Sequence, residues 1–218
     1  MNLRPLQRLA ALAAALTLTA FSAAAADEDG FVSLFNGKDL TGWAGPVDQY
    51  EVKDGAIACK PGKGGTLHTK DEYADFVVRL EIKLPPGGNN GLAIRYPGKG
   101  DTAYVGMCEL QVLDDSSPKY AKLNPSQYHG SAYGMAAAKR GHQKPVGEWN
   151  EQEVTVKGST IKVVLNGTVI LDTDLSKVDP ATYMGKSKHP GVTRTTGYFG
   201  FAGHGDAVQF RNIRIKKL

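Results

Sequence analysis

The chain has 218 residues, with 26 Lys and Arg against 22 Asp and Glu, and only two cysteines. Its charges are spread rather than striped, which argues against nucleic acid as a partner. The cysteines form no CxxC pair and share no zinc-type spacing with histidine. The length suits one domain with a good core.

The chain begins with a basic head, Arg4 and Arg8, an apolar run from Leu9 to Phe21, and small residues from Ser22 to Ala26 before Asp27. A signal peptidase recognises this layout, and the run is short and Ala-rich for a bilayer span. The expectation is a signal peptide over 1–26, cleaved near Ala26, and one domain over 27–218. Such a protein is periplasmic or secreted and free of the membrane after cleavage.

Beyond the leader, period-two patterns dominate. From Val78 to Leu84 apolar and charged residues alternate, and Pro85 to Gly91 then supplies turn chemistry. Gly91–Arg95 and Glu109–Leu113 read as further strands. Cys59 and Cys108 both fall in strand-like stretches; they could form a disulfide in an oxidising compartment or sit as two small buried hydrophobes. The segment from Asp114 to Glu148 reads as a long irregular loop of the kind that carries function, with at most one helical turn at Ala136–Lys139. Glu153–Val156, Thr160–Leu165 and Thr168–Leu171 follow. Asn166-Gly167 fits a two-residue hairpin. Tyr198–Ala202 and Val208–Ile215 close the series, and the basic residues Arg211, Arg214, Lys216 and Lys217 alternate with Ile213 and Ile215 as the wet side of a last strand. The fold class expected is all-β: two antiparallel sheets in a large jelly-roll sandwich.

Glu109, Gln111 and Asp114 are the first candidates for chemistry. A strand points Glu109 and Gln111 to one face, and Asp114 rejoins them only if a bulge inserts one residue. Two carboxyls and an amide on one surface suit acid/base work; the alternative is a polar strand face ending in an ordinary Asp-Asp-Ser turn. Laminarinase-type sandwich β-glucanases use a similar polar spacing, but Gln111 stands in the middle here and Asp114 at the end, so their retaining chemistry does not follow. Arg95, beside Tyr96, could bind hydroxyls or a carbonyl oxygen. His204 and Asp206 sit in a tight loop between the last strands. Tyr133, Tyr104, Trp43 and Trp149 could stack on sugar faces or belong to the core. The remaining histidines show no ligand spacing.

Several motifs together resemble the 3-keto-disaccharide hydrolase domain family: Phe31 through Trp43, Pro86 to Gly91 leading to Arg95, the Glu109–Asp114 strand, Gly147 to Asn150, Leu165 to Gly167, and His204 to Asp206 with Phe210 through Arg214. The resemblance spans nearly the whole chain after the leader. It implies a concanavalin-A-like jelly roll and cleavage of glycosides oxidised at C3. By position it carries over Arg95, Glu109, Gln111, Asp114, His204 and Asp206, and departs where Ala202-Gly203 replaces a Gln of some relatives. The residue reading then gives Glu109 the base role, Asp114 or His204 the acid role, and Arg95 with Gln111 the enolate contacts. Tyr96, Tyr133, Trp149 and Asp206 are further substrate contacts. No cofactor is certain, and a divalent metal could replace Arg95. The expected partner is a small sugar or glycoside. A non-catalytic carbohydrate-binding module and a structural envelope protein are the competing readings.

Overall fold

The protein is described here by a computed structural model covering residues 29–184 and 188–218. The expected leader lies outside the described residues.

Thirteen strands are described: β1 (Val32–Ser33), β2 (Trp43–Ala44), β3 (Tyr50–Lys53), β4 (Ala56–Cys59), β5 (Gly64–Tyr73), β6 (Phe76–Lys83), β7 (Asn89–Tyr96), β8 (Cys108–Leu113), β9 (Trp149–Lys157), β10 (Thr160–Leu165), β11 (Thr168–Asp174), β12 (Gly197–His204) and β13 (Gln209–Lys217). Among the described residues one short α-helix, α1 (Thr102–Val105), interrupts them, beside a few 3-10 turns. The larger, eight-stranded sheet runs β11-β10-β9-β6-β13-β4-β3, with β1 also on β13; the smaller, five-stranded sheet runs β2-β5-β12-β7-β8. Every strand pair is antiparallel. The expected two-sheet sandwich is what the chain forms.

Alternation explains the larger sheet. Along β6, Phe76, Val78, Leu80 and Ile82 are buried while Val77, Arg79, Glu81 and Lys83 stand half-exposed on the other face, the pattern of a sheet wetted on one side. The smaller sheet sends Leu67, Leu92, Leu110, Val112 and Phe201 into the same core. Phe201 stacks between Trp43 at 5.1 Å and Phe210 at 3.9 Å, which ties the sheets together. Each such ring contributes roughly 1.5–3 kcal/mol by leaving water. At the β10–β11 turn Asn166 and Gly167 both take positive φ, 49° and 82°, as the hairpin requires.

Two local expectations are corrected, and of the two readings of the cysteines the buried, unbonded one holds. Ala136 bridges to Ala132 instead of starting a helical turn, and the helix that does form is α1, whose Asp101 side chain accepts from the Ala103 N–H. Cys59 and Cys108 are free and buried, one on β4 of the larger sheet and one on β8 of the smaller. No bulge inserts at the end of β8, where pairing with β7 runs evenly from Ile94↔Cys108 to Asn89↔Leu113. The bulge lies one strand over. Between the pairs Gly200↔Ala93 and Tyr198↔Tyr96, β7 carries Ile94 and Arg95 against Phe199 alone, and Arg95 sits at φ 50°.

Candidate functional site

Register places the site on the outer face of the smaller sheet. Glu109 pairs with Ala93 and Gln111 with Gly91. Ala202 follows Phe201, which pairs with Leu92, so it falls beside Gly91, with His204 two residues on. These side chains share one face because strand residues alternate; Leu110 and Val112 face the core.

That face is not open to water. The long loop after β8 runs back along the strand's free edge, Gln111 donating its N–H to Ser131 and Tyr133 donating to Glu109 at 3.0 and 2.9 Å. The loop thereby covers an edge that would otherwise be unpaired. Asn124 and Gln127 fix one of its turns as a capping box, and Gln127 Nε2 donates to the Tyr133 hydroxyl at 3.0 Å. On the other side α1 is latched to the sheet by Thr102 and Thr66, whose hydroxyls lie 2.5 Å apart.

Between loop, helix and sheet lies a cavity of about 200 Å³. Glu109, Gln111 and His204 enter it from the sheet, Asp101 and Tyr104 from the α1 segment, and Tyr133 and Gln127 from the loop. It is smaller than the roughly 300–1,000 Å³ of pockets that take drug-sized ligands, and suits one small polar ring.

Its electrostatics centre on one pair. Glu109 is 3 % exposed and its Oε1 lies 3.8 Å from His204 Nε2. Burial pushes the Glu109 carboxyl above the usual range, and the neighbouring imidazole only partly offsets this. His204, half-exposed at the rim, is pushed up by the Glu109 carboxylate, with Asp101 and Asp206 adding to the effect. Gln111 donates from Nε2 to Asn89 Oδ1 at 2.9 Å, leaving its own carbonyl oxygen for a ligand. Tyr133 accepts from Gln127, so its hydroxyl hydrogen is free to donate into the cavity, and burial raises its pKa, keeping that proton in place.

Of the expected site residues, Glu109, Gln111, His204 and Tyr133 come together. Asp114 does not. Without a bulge it turns away and caps a loop, Oδ2 accepting from Gly87 N–H at 2.8 Å and Oδ1 from the Ser116 hydroxyl at 2.6 Å. Burial raises its pKa, but these donors outweigh it and hold the carboxyl below the usual range, which is the wrong direction for a proton donor. Arg95 is turned inward by the β7 bulge and is 1 % exposed. Its guanidinium is consumed by the carbonyls of Ala74, Gly158 and Arg194 and by Asp75. Tyr96 is buried against His68 and donates to Gly100. Trp149 lies on the far face of the other sheet, between Lys83 and Arg211. Asp206 stays outside the cavity lining and reaches His204 only through its charge.

Asp101, Asn89 and Gln127 were not singled out from the sequence. Asp101 had a signal, since an Asp after Lys99-Gly100 and before Thr102-Ala103-Tyr104 is a helix N-cap pattern; Asn124 with Gln127 had the capping-box spacing. Neither signal shows what the turn faces. Among the described residues no group of three or more His, Cys, Asp or Glu side chains is arranged to hold a metal ion.

A 440 Å³ depression on the outer face of the larger sheet includes the ion pair of Arg79 with Glu153 at 2.7 Å in its wall.

A curated relative, the 3-keto-disaccharide hydrolase of Bacteroides thetaiotaomicron, is 30% identical over 88% of this chain and 80% of its own length. A crystal structure of a presumptive glycosyl hydrolase from Parabacteroides distasonis is 29% identical with a TM-score of 0.74, covering 86% of this chain and 99% of that one. A carbohydrate binding module of Bacillus subtilis, 14% identical over 81% of this chain and 96% of its own, shares the fold at a TM-score of 0.54. Residues 30–216 match the 3-keto-alpha-glucoside-1,2-lyase-like domain family, and with nearly all of its described length inside that match the chain belongs to this family.

Proposed function

We propose that the protein cleaves 3-keto-glycosides by proton abstraction at C2 followed by loss of the C1 substituent. A glycoside-cleaving function is supported by family membership and by the hydrolase relative. The elimination chemistry rests on a single observation: a buried carboxyl, Glu109, held 3.8 Å from an imidazole in a cavity sized for one ring.

A ketone at C3 makes the hydrogen on C2 acidic. Glu109, as carboxylate, takes that proton, and its raised pKa makes it a stronger base than an exposed carboxylate. The C2–H electrons move into an enolate whose charge rests on the C3 oxygen, where the Tyr133 hydroxyl donates a hydrogen bond. Tyr133 thus fills the role expected of Arg95. The enolate electrons then reform the C3 carbonyl and make a C1=C2 double bond as the C1–O bond breaks. His204, protonated, gives its proton to the departing oxygen, the role shared in expectation with Asp114. Addition of water across C1 and C2 completes a net hydrolysis. Because C1 and C2 are bonded neighbours, base and acid must stand close together. The 3.8 Å pair fits this better than the roughly 5–9.5 Å that separates the carboxyls of ordinary glycosidases. Gln111 and Asn89 are placed for the ring hydroxyls. A leader over residues 1–26 suits work on sugars in the periplasm or outside the cell.

The test is aglycone release from a 3-keto-glucoside, with the unoxidised glucoside as control. Wild type should release aglycone only from the keto form, and E109Q should bind the sugar by calorimetry without turnover. Binding with no turnover in wild type would instead favour the carbohydrate-binding reading.

A further inference from the structure

We propose that Gly91 is a positioning residue of this site, its missing side chain opening the track across β7 along which the Glu109 carboxylate reaches His204. The inference rests on reading Glu109 and His204 as a working pair. They stand on β8 and β12, with β7 between them. Two strand spacings amount to roughly 9–10 Å, yet the side chains close to 3.8 Å. Glu109 manages this by lying across the backbone of β7. A methyl group on Gly91 would overlap Oε1, Cδ and Cγ of Glu109, and these are the three heavy atoms nearest to it. Ala202, beside Gly91 in register, keeps the far half of the track low.

Gly91 is not needed for its backbone. The turn before β7 takes its positive φ at Gly87, whereas Gly91 is absent from the positive-φ positions and lies inside the strand. Glycine within a strand weakens it unless something approaches closely, and what approaches here is the carboxylate. The atoms nearest a Cβ at this position all belong to the Glu109 side chain, Cγ included, so Gly91→Ala turns that side chain from its Cβ outward and displaces the carboxylate.

The experiment follows the His204 ring protons by NMR across pH in wild type, G91A, E109A and the G91A/E109A double variant, beside turnover of the 3-keto-glucoside. Glu109, Asp101 and Asp206 are the charged groups acting on His204. In G91A its titration should fall toward that of E109A and turnover should drop about 10²-fold, the scale of a displaced reacting group. Adding G91A to E109A should change neither titration nor thermal stability, because the clashing group is gone. Wild-type titration and turnover in G91A would overturn the proposal. So would equal destabilisation of both backgrounds, including failure of both to fold; failure of G91A alone, rescued by E109A, would support it. Should wild type leave the keto-glucoside intact, the reaction assigned above fails while the titrations still decide the role of Gly91.

Discussion

The two outer faces of the sandwich carry similar residue types and do opposite things with them. On the larger sheet Arg79 meets Glu153 and Arg211 meets Glu81 at 2.7 Å, in partly wetted pairs. On the smaller sheet Glu109 is nearly dry and its cationic neighbour stands 3.8 Å off. A charge paired at contact distance in water is spent. One held dry with a distant partner keeps a perturbed pKa and a drive to exchange protons. The difference comes from the cover, since loop 114–148 and α1 roof one face and leave the other bare.

The largest expected effect falls on the roofed face. E109Q should lower turnover about 10²–10⁴-fold, the contribution of a positioned acid or base, while the midpoint of thermal unfolding holds or rises because a buried carboxyl has been removed. A clear fall in that midpoint would make Glu109 a structural residue. Next comes Tyr133→Phe, which should cost about 10²–10³-fold in kcat, the scale for one lost oxyanion donor, with the sugar still bound by calorimetry. An unchanged kcat would remove Tyr133 from the enolate contact.

The pH profile sharpens the contrast further. In the proposed reaction Glu109 starts deprotonated and His204 protonated, and both pKa values are raised. The acid limb of kcat/KM should therefore lie above the ordinary carboxylate range and the alkaline limb above the ordinary imidazole range, as properties of the coupled pair. Replacing Asp101 by Asn should move the alkaline limb down. A bell with both limbs in the unperturbed ranges would dissolve the pair.

His129 tests what supports the roof. It is 2 % exposed, accepts from the Leu113 N–H at 3.3 Å and meets Gln152 at 2.9 Å, joining the edge of one sheet to the middle of the other. His129→Ala should destabilise by about 1–3 kcal/mol, the cost of an orphaned buried donor, read by denaturant titration. Burial lowers its pKa to about 4, so the folded protein binds this proton less readily than the unfolded chain. The stabilisation is whole above the unfolded imidazole value and is lost as pH falls from there toward about 4; His129→Ala should flatten that slope. The smallest effect belongs to the bare face, where Glu81→Gln should cost about 0–1 kcal/mol and leave turnover at wild type.

Most of the fold was legible because a half-buried strand writes itself in period two. Phe76 to Lys83, the Asn166-Gly167 hairpin and the strand at Tyr198 all formed where the pattern put them. Glu109 and Gln111 were legible for the same reason, as neighbours on one face of one strand. Asp114 joins Glu109 only through a bulge in β8, and Arg95 shares their face only if β7 has none. The bulge sits in β7, where it turns Arg95 inward, and its absence from β8 leaves Asp114 to cap a turn.

The two-sheet sandwich, its hairpins and the residues of each strand that share a face follow from alternation and turn chemistry within a few residues. No local pattern says that Glu109 crosses Gly91 to His204, that Asp101 and Tyr133 close the cavity, or that Trp149 faces elsewhere. Those relations join strands and loops far apart along the chain, and they are set by sheet order and register rather than by local preference.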